Sequence, residues 1–144
     1  GLTRIAYVDL DAHHCDGVEL AFAGDPGVRM ISVHEEGRWP FTGLLTDTAQ
    51  GSAFNLPVPK GYNDSEARAV LHGLILPRVA AFRPQALVVQ CGADSLLEDP
   101  LSRRTAPIWK HCGRCCHWPR ACWCWAGAAT IRGRSAGFGP GSGA

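Results

Sequence analysis

The segment at residues 4–17 constrains the fold most, because an apolar run leads directly into a polar one. Residues 5–10 are rich in β-branched and aromatic side chains, which is typical of a strand buried on both faces. The letters that follow, DAHHCDG, are typical of a loop. Strands buried on both faces occur mainly in parallel sheets covered by helices, so the segment predicts an α/β protein.

The next part of the chain continues the alternation of strand, loop and helix that a parallel sheet requires. One helix is expected to begin at a cap supplied by Asn63, Asp64 or Ser65 and to run to about Phe82. Pro77 should kink or divide that helix, because proline has no N–H to donate. The other predicted elements are strands at 28–33, 54–58 and 86–90, a short helix at 18–23, and a long polar loop at 34–51.

Composition excludes some classes of partner. The chain has 14 basic and 13 acidic residues among 144, so it carries no basic surface for nucleic acid. It also lacks an apolar run of the roughly 20 residues that a bilayer span needs. We therefore expect neither a nucleic-acid nor a membrane partner. The chain shows no secretion signal and starts abruptly, so we expect a cytoplasmic protein and a piece of a longer one.

Polar side chains follow two of the predicted strands. Asp9, Asp11 and His13 alternate along one segment, and Asp94 follows the strand at 86–90. In a parallel sheet, ligands bind beyond the carboxyl ends of the strands. Two carboxylates and one imidazole would leave positions open on a metal ion, as in a catalytic site for hydrolysis. Taken alone, the run of Asp and His also fits a solvated loop.

Four stretches in order resemble the histone deacetylase superfamily, particularly its bacterial acetoin-utilization and acetylpolyamine deacetylase branch. They are RIAYVDLDAHHCDGVELAF, ISVHEEGRWPFTG, FNLPVPKGYNDSE and VVQCGADSLLEDPLSR. The resemblance implies an arginase/deacetylase-like parallel sheet flanked by helices, here incomplete. It also implies hydrolysis of the amide of an acetylated lysine, an acetylated polyamine or another small acetylated amine.

The same resemblance implies roles for individual residues. Asp11, His13 and Asp94 would bind a catalytic Zn²⁺, although such donors also accept iron, cobalt or manganese. Asp9 and Asp16 would each pair with one histidine of a general-base dyad. Trp39 would line the substrate channel, although an aromatic residue in a loop can also simply pack on the core. A structural K⁺ would be held by residues on the first two strands and the loop after the first: Asp9, Asp11, His13, Ser32 and Val33.

Two departures from the family pattern concern catalysis. Cys15 stands where the family has glycine, so its side chain could crowd a tight turn beside the metal. The dyad histidines lie upstream of the corresponding segment in the family, so they are expected to be absent from this chain. Residues 1–102 are therefore interpreted as the central part of a deacetylase catalytic domain, inactive by itself.

Residues 103–144 differ in composition, since they hold four of the five Trp and five of the seven Cys. The family continues here with a helix, a buried strand and a glycine-rich turn. Trp has one codon and Cys has two, so reading Cys122–Ala126 from the third base of each codon forces Leu-Val-Leu-Gly. That string matches the missing strand. We interpret 103–144 as an out-of-frame tail, disordered or non-native, after a slip between about Arg103 and Thr105.

The tail also has a second interpretation, in which its sequence is taken at face value. Its cysteine and histidine side chains could form a small zinc-binding module. The chain would then be a non-catalytic protein that binds metal and acylated amines. The oligomeric state stays open. The residues of this module would be His111, Cys112, Cys115, Cys116, His117, Cys122 and Cys124.

Overall fold

The computed structural model describes residues 1–92, residue 94 and the backbone of residues 122–126. Within these residues, no helix combines the length and apolar character needed to cross a bilayer. The strands are β1 (Ile5–Asp9), β2 (Val28–Glu35), β3 (Ala53–Val58), β4 (Ala86–Cys91) and β5 (Cys122–Ala126). The helices are α1 (Asp16–Ala21), α2 (Asp64–Val70) and α3 (Leu76–Phe82), with a 3₁₀ turn at Ala49–Gly51 and a π-helical turn at Leu71–Ile75.

All five strands run parallel, in the order β3-β2-β1-β4-β5. β1 lies at the centre, where Asp9 is opposite Ser32 of β2 and Gln90 of β4. The predicted α/β class, a parallel sheet flanked by helices, is confirmed.

The helices cover both faces of the sheet. The chain moves outward from β1 to β3 and then returns to β4 on the other side of β1. Because such crossovers are right-handed, α1 and the α2–α3 segment fall on opposite faces. Packing agrees with this rule: Val18 of α1 contacts the cluster around Met30, whereas Leu71 and Val79 pack with Val8 and Ile31. The larger core lies beneath α2 and α3.

The helical segment after β3 is divided, as Pro77 predicts. Pro77 has no N–H, so it cannot donate the usual helical hydrogen bond to the carbonyl of Gly73, four residues earlier. The chain widens into the π-helical turn Leu71–Ile75 directly before α3, where Pro77 lies in the first turn. This turn accommodates the proline without ending the helical path.

The cap of α2 is Asn63, one of the three predicted candidates. Its side-chain Oδ1 accepts hydrogen bonds from the N–H groups of Ser65 and Glu66, at 3.0 and 3.2 Å. Glu66 Oε2 in turn accepts from the N–H of Asn63 at 2.9 Å. The pair forms a capping box, which satisfies N–H groups that have no partner within the helix.

The predicted start of the long loop at residue 34 is wrong. β2 continues through His34 and Glu35, which pair with Pro57 and Val58 of β3. His34 is only 2% exposed, and its ring nitrogens bond with the Ser32 hydroxyl and the Gly43 carbonyl. A polar residue whose hydrogen bonds are satisfied in this way can lie inside a strand. Because it is polar, the apolar run that predicts the strand ends before it.

β5 lies in the part of the chain interpreted as out of frame. Its backbone pairs with β4, from Leu87 opposite Cys122 to Cys91 opposite Ala126. A strand thus occupies the edge that the out-of-frame interpretation leaves without a native strand. The boundary at residue 102 and the side chains of the Cys- and His-rich module lie outside the described residues, and both stay predictions.

Candidate metal centre

The loops that follow β1 and β4 meet at the carboxyl edge of the sheet. From β1 the chain leaves toward β2, and from β4 toward β5, so the two connections diverge. Ligands of α/β proteins bind in the crevice that such a switch in strand order opens. Asp11 and His13 lie after β1 and Asp94 lies after β4. The fold thus brings Asp94 close to Asp11 and His13, about 80 positions earlier in the sequence, and we call these three residues the metal cluster.

The donor atoms of the metal cluster lie within 4.8 Å of one another. Nδ1 of His13 is 2.6 Å from Oδ2 of Asp94 and 3.1 Å from Oδ1 of Asp11. Backbone N–H groups orient both carboxylates: that of Ala12 donates to Asp94 at 3.2 Å, and that of His13 donates to Asp11 at 2.8 Å. The three side chains are 21–36% exposed, so the cluster is partly accessible to solvent.

Gly92 is a site residue that the sequence pattern did not single out. A Cβ atom at this position would overlap Oδ2 of Asp11 and lie 2.6 Å from Oδ1 of Asp94. Only glycine leaves room for both carboxylates to approach each other. This glycine lies in the sequence CGADS, but the need for glycine becomes apparent only when the two loops are placed side by side.

Electrostatics at this edge favour a bound cation. Burial raises the pKa of Asp94, and the neighbouring charge of Asp11 raises it further. Burial also raises the pKa of Asp9 to about 6, although the Tyr7 hydroxyl and the N–H of Asp11 both donate to it. A cation between carboxylates offsets their repulsion and their lost hydration.

The donor set fits a divalent metal ion. Two carboxylate oxygens and one imidazole nitrogen suit Zn²⁺ and leave coordination positions open. The close approach that Gly92 permits is a second feature expected of ligands around an ion. Iron, cobalt and manganese accept the same donors.

A row of polar side chains crosses the sheet beside the metal cluster. Gln90, Asp9, Ser32 and Asn55 lie opposite one another on β4, β1, β2 and β3, so they share one face. The buried atoms Oε1 of Gln90 and Oδ1 of Asn55 have no hydrogen-bond partner within the described part of the chain. Asp9 and Ser32, two of the predicted K⁺ ligands, are 4% and 2% exposed. The remaining predicted K⁺ ligands, Asp11, His13 and Val33, would bind through their backbone carbonyls, and these roles stay predictions.

Asp16 and Trp39 are both exposed to solvent. Asp16 is the exposed first residue of α1, where it accepts the N–H of Gly17 at 2.8 Å. Trp39 is 66% exposed, and its ring meets that of His13 edge to face, with 6.3 Å between centroids. An exposed indole beside the metal cluster suits one wall of a substrate channel.

A buried histidine pair fixes the loop that carries Trp39. His14 bonds with the Thr42 hydroxyl at 2.8 Å and with Glu19 at 3.0 Å. Its ring lies 4.8 Å from that of His34. Gly43, with φ of 81°, is wedged against both rings, since a Cβ there would lie 2.5 Å from Cδ2 of His14. No local pattern in the sequence indicates this packing, because it joins residues on three different segments.

Cys15 is accommodated without a strained backbone. Its φ of −80° is ordinary for an L-residue, so the turn does not require the glycine found in the family. Burial, followed by the charge of Asp9, raises the pKa of its thiol to about 12, which keeps the group protonated at neutral pH. The backbone of this turn is therefore unstrained with cysteine at residue 15.

Comparison with known proteins agrees with this geometry. A sequence model of the histone deacetylase domain matches residues 1–116. The chain is 37% identical to histone deacetylase 14, chloroplastic, of Arabidopsis thaliana over 106 residues, which cover 71% of this chain and 25% of that protein. It is 39% identical to histone deacetylase HOS1 of Saccharomyces cerevisiae over 101 residues, or 68% of this chain and 22% of that protein.

Histone deacetylase HDAC1 of Drosophila melanogaster is similar as well, with 38% identity over 117 residues, or 78% of this chain and 22% of that protein. The chain thus spans a quarter or less of the length of these relatives. The matched residues include β1 to β4 and all of the metal cluster. The chain belongs to the histone deacetylase family.

Proposed function

We propose that this chain carries the metal site of a zinc-dependent deacetylase that hydrolyses the amide of an acetylated lysine or another acetylated amine. Family membership supports a deacetylase-type hydrolase. The observation that carries the finer proposal is the convergence of Asp11, His13 and Asp94 at the switch point of the sheet, with Gly92 making room for the carboxylates. When bound, zinc would supply a Lewis acid for the amide carbonyl and for the attacking water.

The residues around the ion would position the substrate and move protons. Trp39 would present an apolar wall beside His13, suited to the methylene chain of an acetylated amine. Asp9 and Asp16 would orient the two histidines of a general-base dyad through hydrogen bonds. The resemblance places that dyad before residue 1, so we propose that the 144-residue chain binds metal but does not turn over substrate by itself.

K⁺ is the second proposed ion. Asp9 and Ser32 face each other on β1 and β2, and both are buried. A monovalent cation there would compensate the buried carboxylate of Asp9, whose pKa burial raises. Backbone carbonyls of Asp11, His13 and Val33 would complete its coordination.

Metal binding by the purified chain tests the proposed site. Co²⁺ bound by imidazole and carboxylates gives d–d absorption, while cobalt bound by the tail cysteines adds a thiolate charge-transfer band. We expect one d–d site in the wild type and its loss in Asp94→Asn, with Asp64→Asn, at the exposed start of α2, as matched control. Cobalt spectra of purely thiolate type, unchanged by Asp94→Asn, would contradict the site and favour the zinc-module interpretation.

Activity is measured separately, with an acetyl-lysine peptide and an acetylated polyamine as substrates. The chain alone is expected to release no acetate. Release of acetate by the chain, abolished by Asp94→Asn, would contradict the proposed need for an upstream dyad while supporting the metal site.

A further inference from the structure

Arg38 donates a hydrogen bond to Nε2 of His13, the ring nitrogen that does not face Asp11 and Asp94. Its Nε–H donates to Nε2 of His13 at 3.1 Å, while Nδ1 of the same ring faces Asp11 and Asp94. The guanidinium also donates through Nη1 to Oε2 of Glu35 at 3.3 Å, and both of these side chains are about a tenth exposed, at 11% and 10%. Arg38 is therefore held against His13 where solvent has little access.

The hydrogen bond from Arg38 selects one tautomer of His13. A neutral imidazole has one N–H and one lone pair, whereas a guanidinium only donates and stays protonated. The lone pair of His13 must therefore be on Nε2 and its hydrogen on Nδ1. That hydrogen is directed at Oδ2 of Asp94, which lies 2.6 Å from Nδ1.

A metal ion in the cluster needs the opposite tautomer. Coordination uses the lone pair of Nδ1, because this nitrogen faces both carboxylates. The hydrogen of a neutral ring is then on Nε2, where it meets the N–H of Arg38. Two donors cannot share a hydrogen bond, so the bond from Arg38 and the bound ion exclude each other.

We propose that Arg38 is a positioning residue that opposes metal loading: it holds His13 in the tautomer that cannot bind the ion, and a bound ion displaces it. The inference rests on the proposed metal site. The bond to Glu35 does not involve His13, so the displaced guanidinium keeps that partner. Arg38 would then lower the metal affinity of the site without being a ligand itself.

Substitution of Arg38 provides the first test. In Arg38→Gln the amide oxygen can accept from Nε2–H, the arrangement that usually supports a metal-bound histidine. We expect Arg38→Gln to bind Co²⁺ about tenfold more tightly than the wild type. Substitution of residues that hydrogen-bond to metal ligands typically changes metal affinity by about this factor. Arg38→Lys keeps a donor and a charge and should remain near the wild type. Arg78→Gln is the matched control, since Arg78 stacks on Phe54.

The tautomer of His13 provides a second test, which needs no variant to fold. The chain is labelled with ¹⁵N-histidine, and the protonation of each ring nitrogen is read by NMR with and without Zn²⁺. We expect hydrogen on Nδ1 of His13 in the metal-free chain and on Nε2 in the loaded chain. If Arg38 acted only through its positive charge, it would change the Co²⁺ affinity but would not hold the hydrogen of His13 on Nδ1 in the metal-free chain.

The outcomes separate the inference from the site itself. Equal Co²⁺ affinity in the wild type and Arg38→Gln, or hydrogen already on Nε2 of His13 in the metal-free chain, would overturn the role of Arg38 and leave the metal site standing. A Co²⁺ spectrum that Asp94→Asn leaves unchanged would overturn both. Tighter binding by Arg38→Gln together with the change of tautomer would support both.

Discussion

Gly92 shows how much a single residue without a side chain decides at this site. A methyl group there would overlap Asp11 Oδ2, so the carboxylate of Asp11 or the backbone at residue 92 would have to shift. We predict that Gly92→Ala weakens metal binding by about a hundredfold, the upper range for changes next to ligands. Isothermal titration with Zn²⁺ in the presence of a competing chelator measures this.

A control for Gly92→Ala is Gly73→Ala, in the π-helical turn, where an added Cβ meets nothing within 4 Å. Its metal affinity should equal that of the wild type. Wild-type affinity in Gly92→Ala itself would show that Asp11 and Asp94 do not need to approach this closely to bind the ion.

At the level of secondary-structure elements, local signals in the sequence correctly located the start of α2. Asn63, with Glu66 three residues later, is the pattern of a capping box, and both of its hydrogen bonds are present. We predict that Asn63→Ala lowers the free energy of unfolding by about 1 kcal/mol, while Asn63→Asp, which keeps the acceptor, changes it by only a few tenths. Urea unfolding followed by circular dichroism measures both, and an unchanged midpoint in Asn63→Ala would contradict the role of the cap.

β2 shows where such signals fail. His34 and Glu35 are polar, so the apolar pattern ends before them, yet both are buried strand residues. What keeps them in the strand is pairing with Pro57 and Val58, together with the bond from His34 to Gly43. These partners are distant in sequence, and no local pattern identifies them.

The whole molecule should respond to K⁺ if Asp9 and Ser32 bind it. An ion that binds only the folded state stabilises it, by about 1.4 kcal/mol at ten times its Kd. We predict a higher thermal unfolding midpoint in KCl than in tetramethylammonium chloride at equal ionic strength. Ser32→Ala should remove most of the difference, whereas Thr46→Ala, at an exposed loop position, should keep it. A midpoint independent of K⁺ in the wild type would argue against the ion.

The sequence by itself determined the α/β class, the approximate positions of the four strands before residue 92 and the division of the helix at Pro77. Each of these depends on patterns within a few residues, namely apolar runs, caps and proline. Resemblance to the family predicted Asp11, His13 and Asp94 as metal ligands, and the fold brings these three side chains close together.

Only the tertiary structure decided how Asp94 reaches His13, why position 92 must be glycine and how Arg38 bonds to Nε2 of His13. It also decided that His14 and His34 pack against Gly43 and thereby fix the loop of Trp39. These relations join residues on different loops and strands. They arise because the parallel sheet places the ends of β1, β2 and β4 at one edge, and that placement is a property of the whole fold.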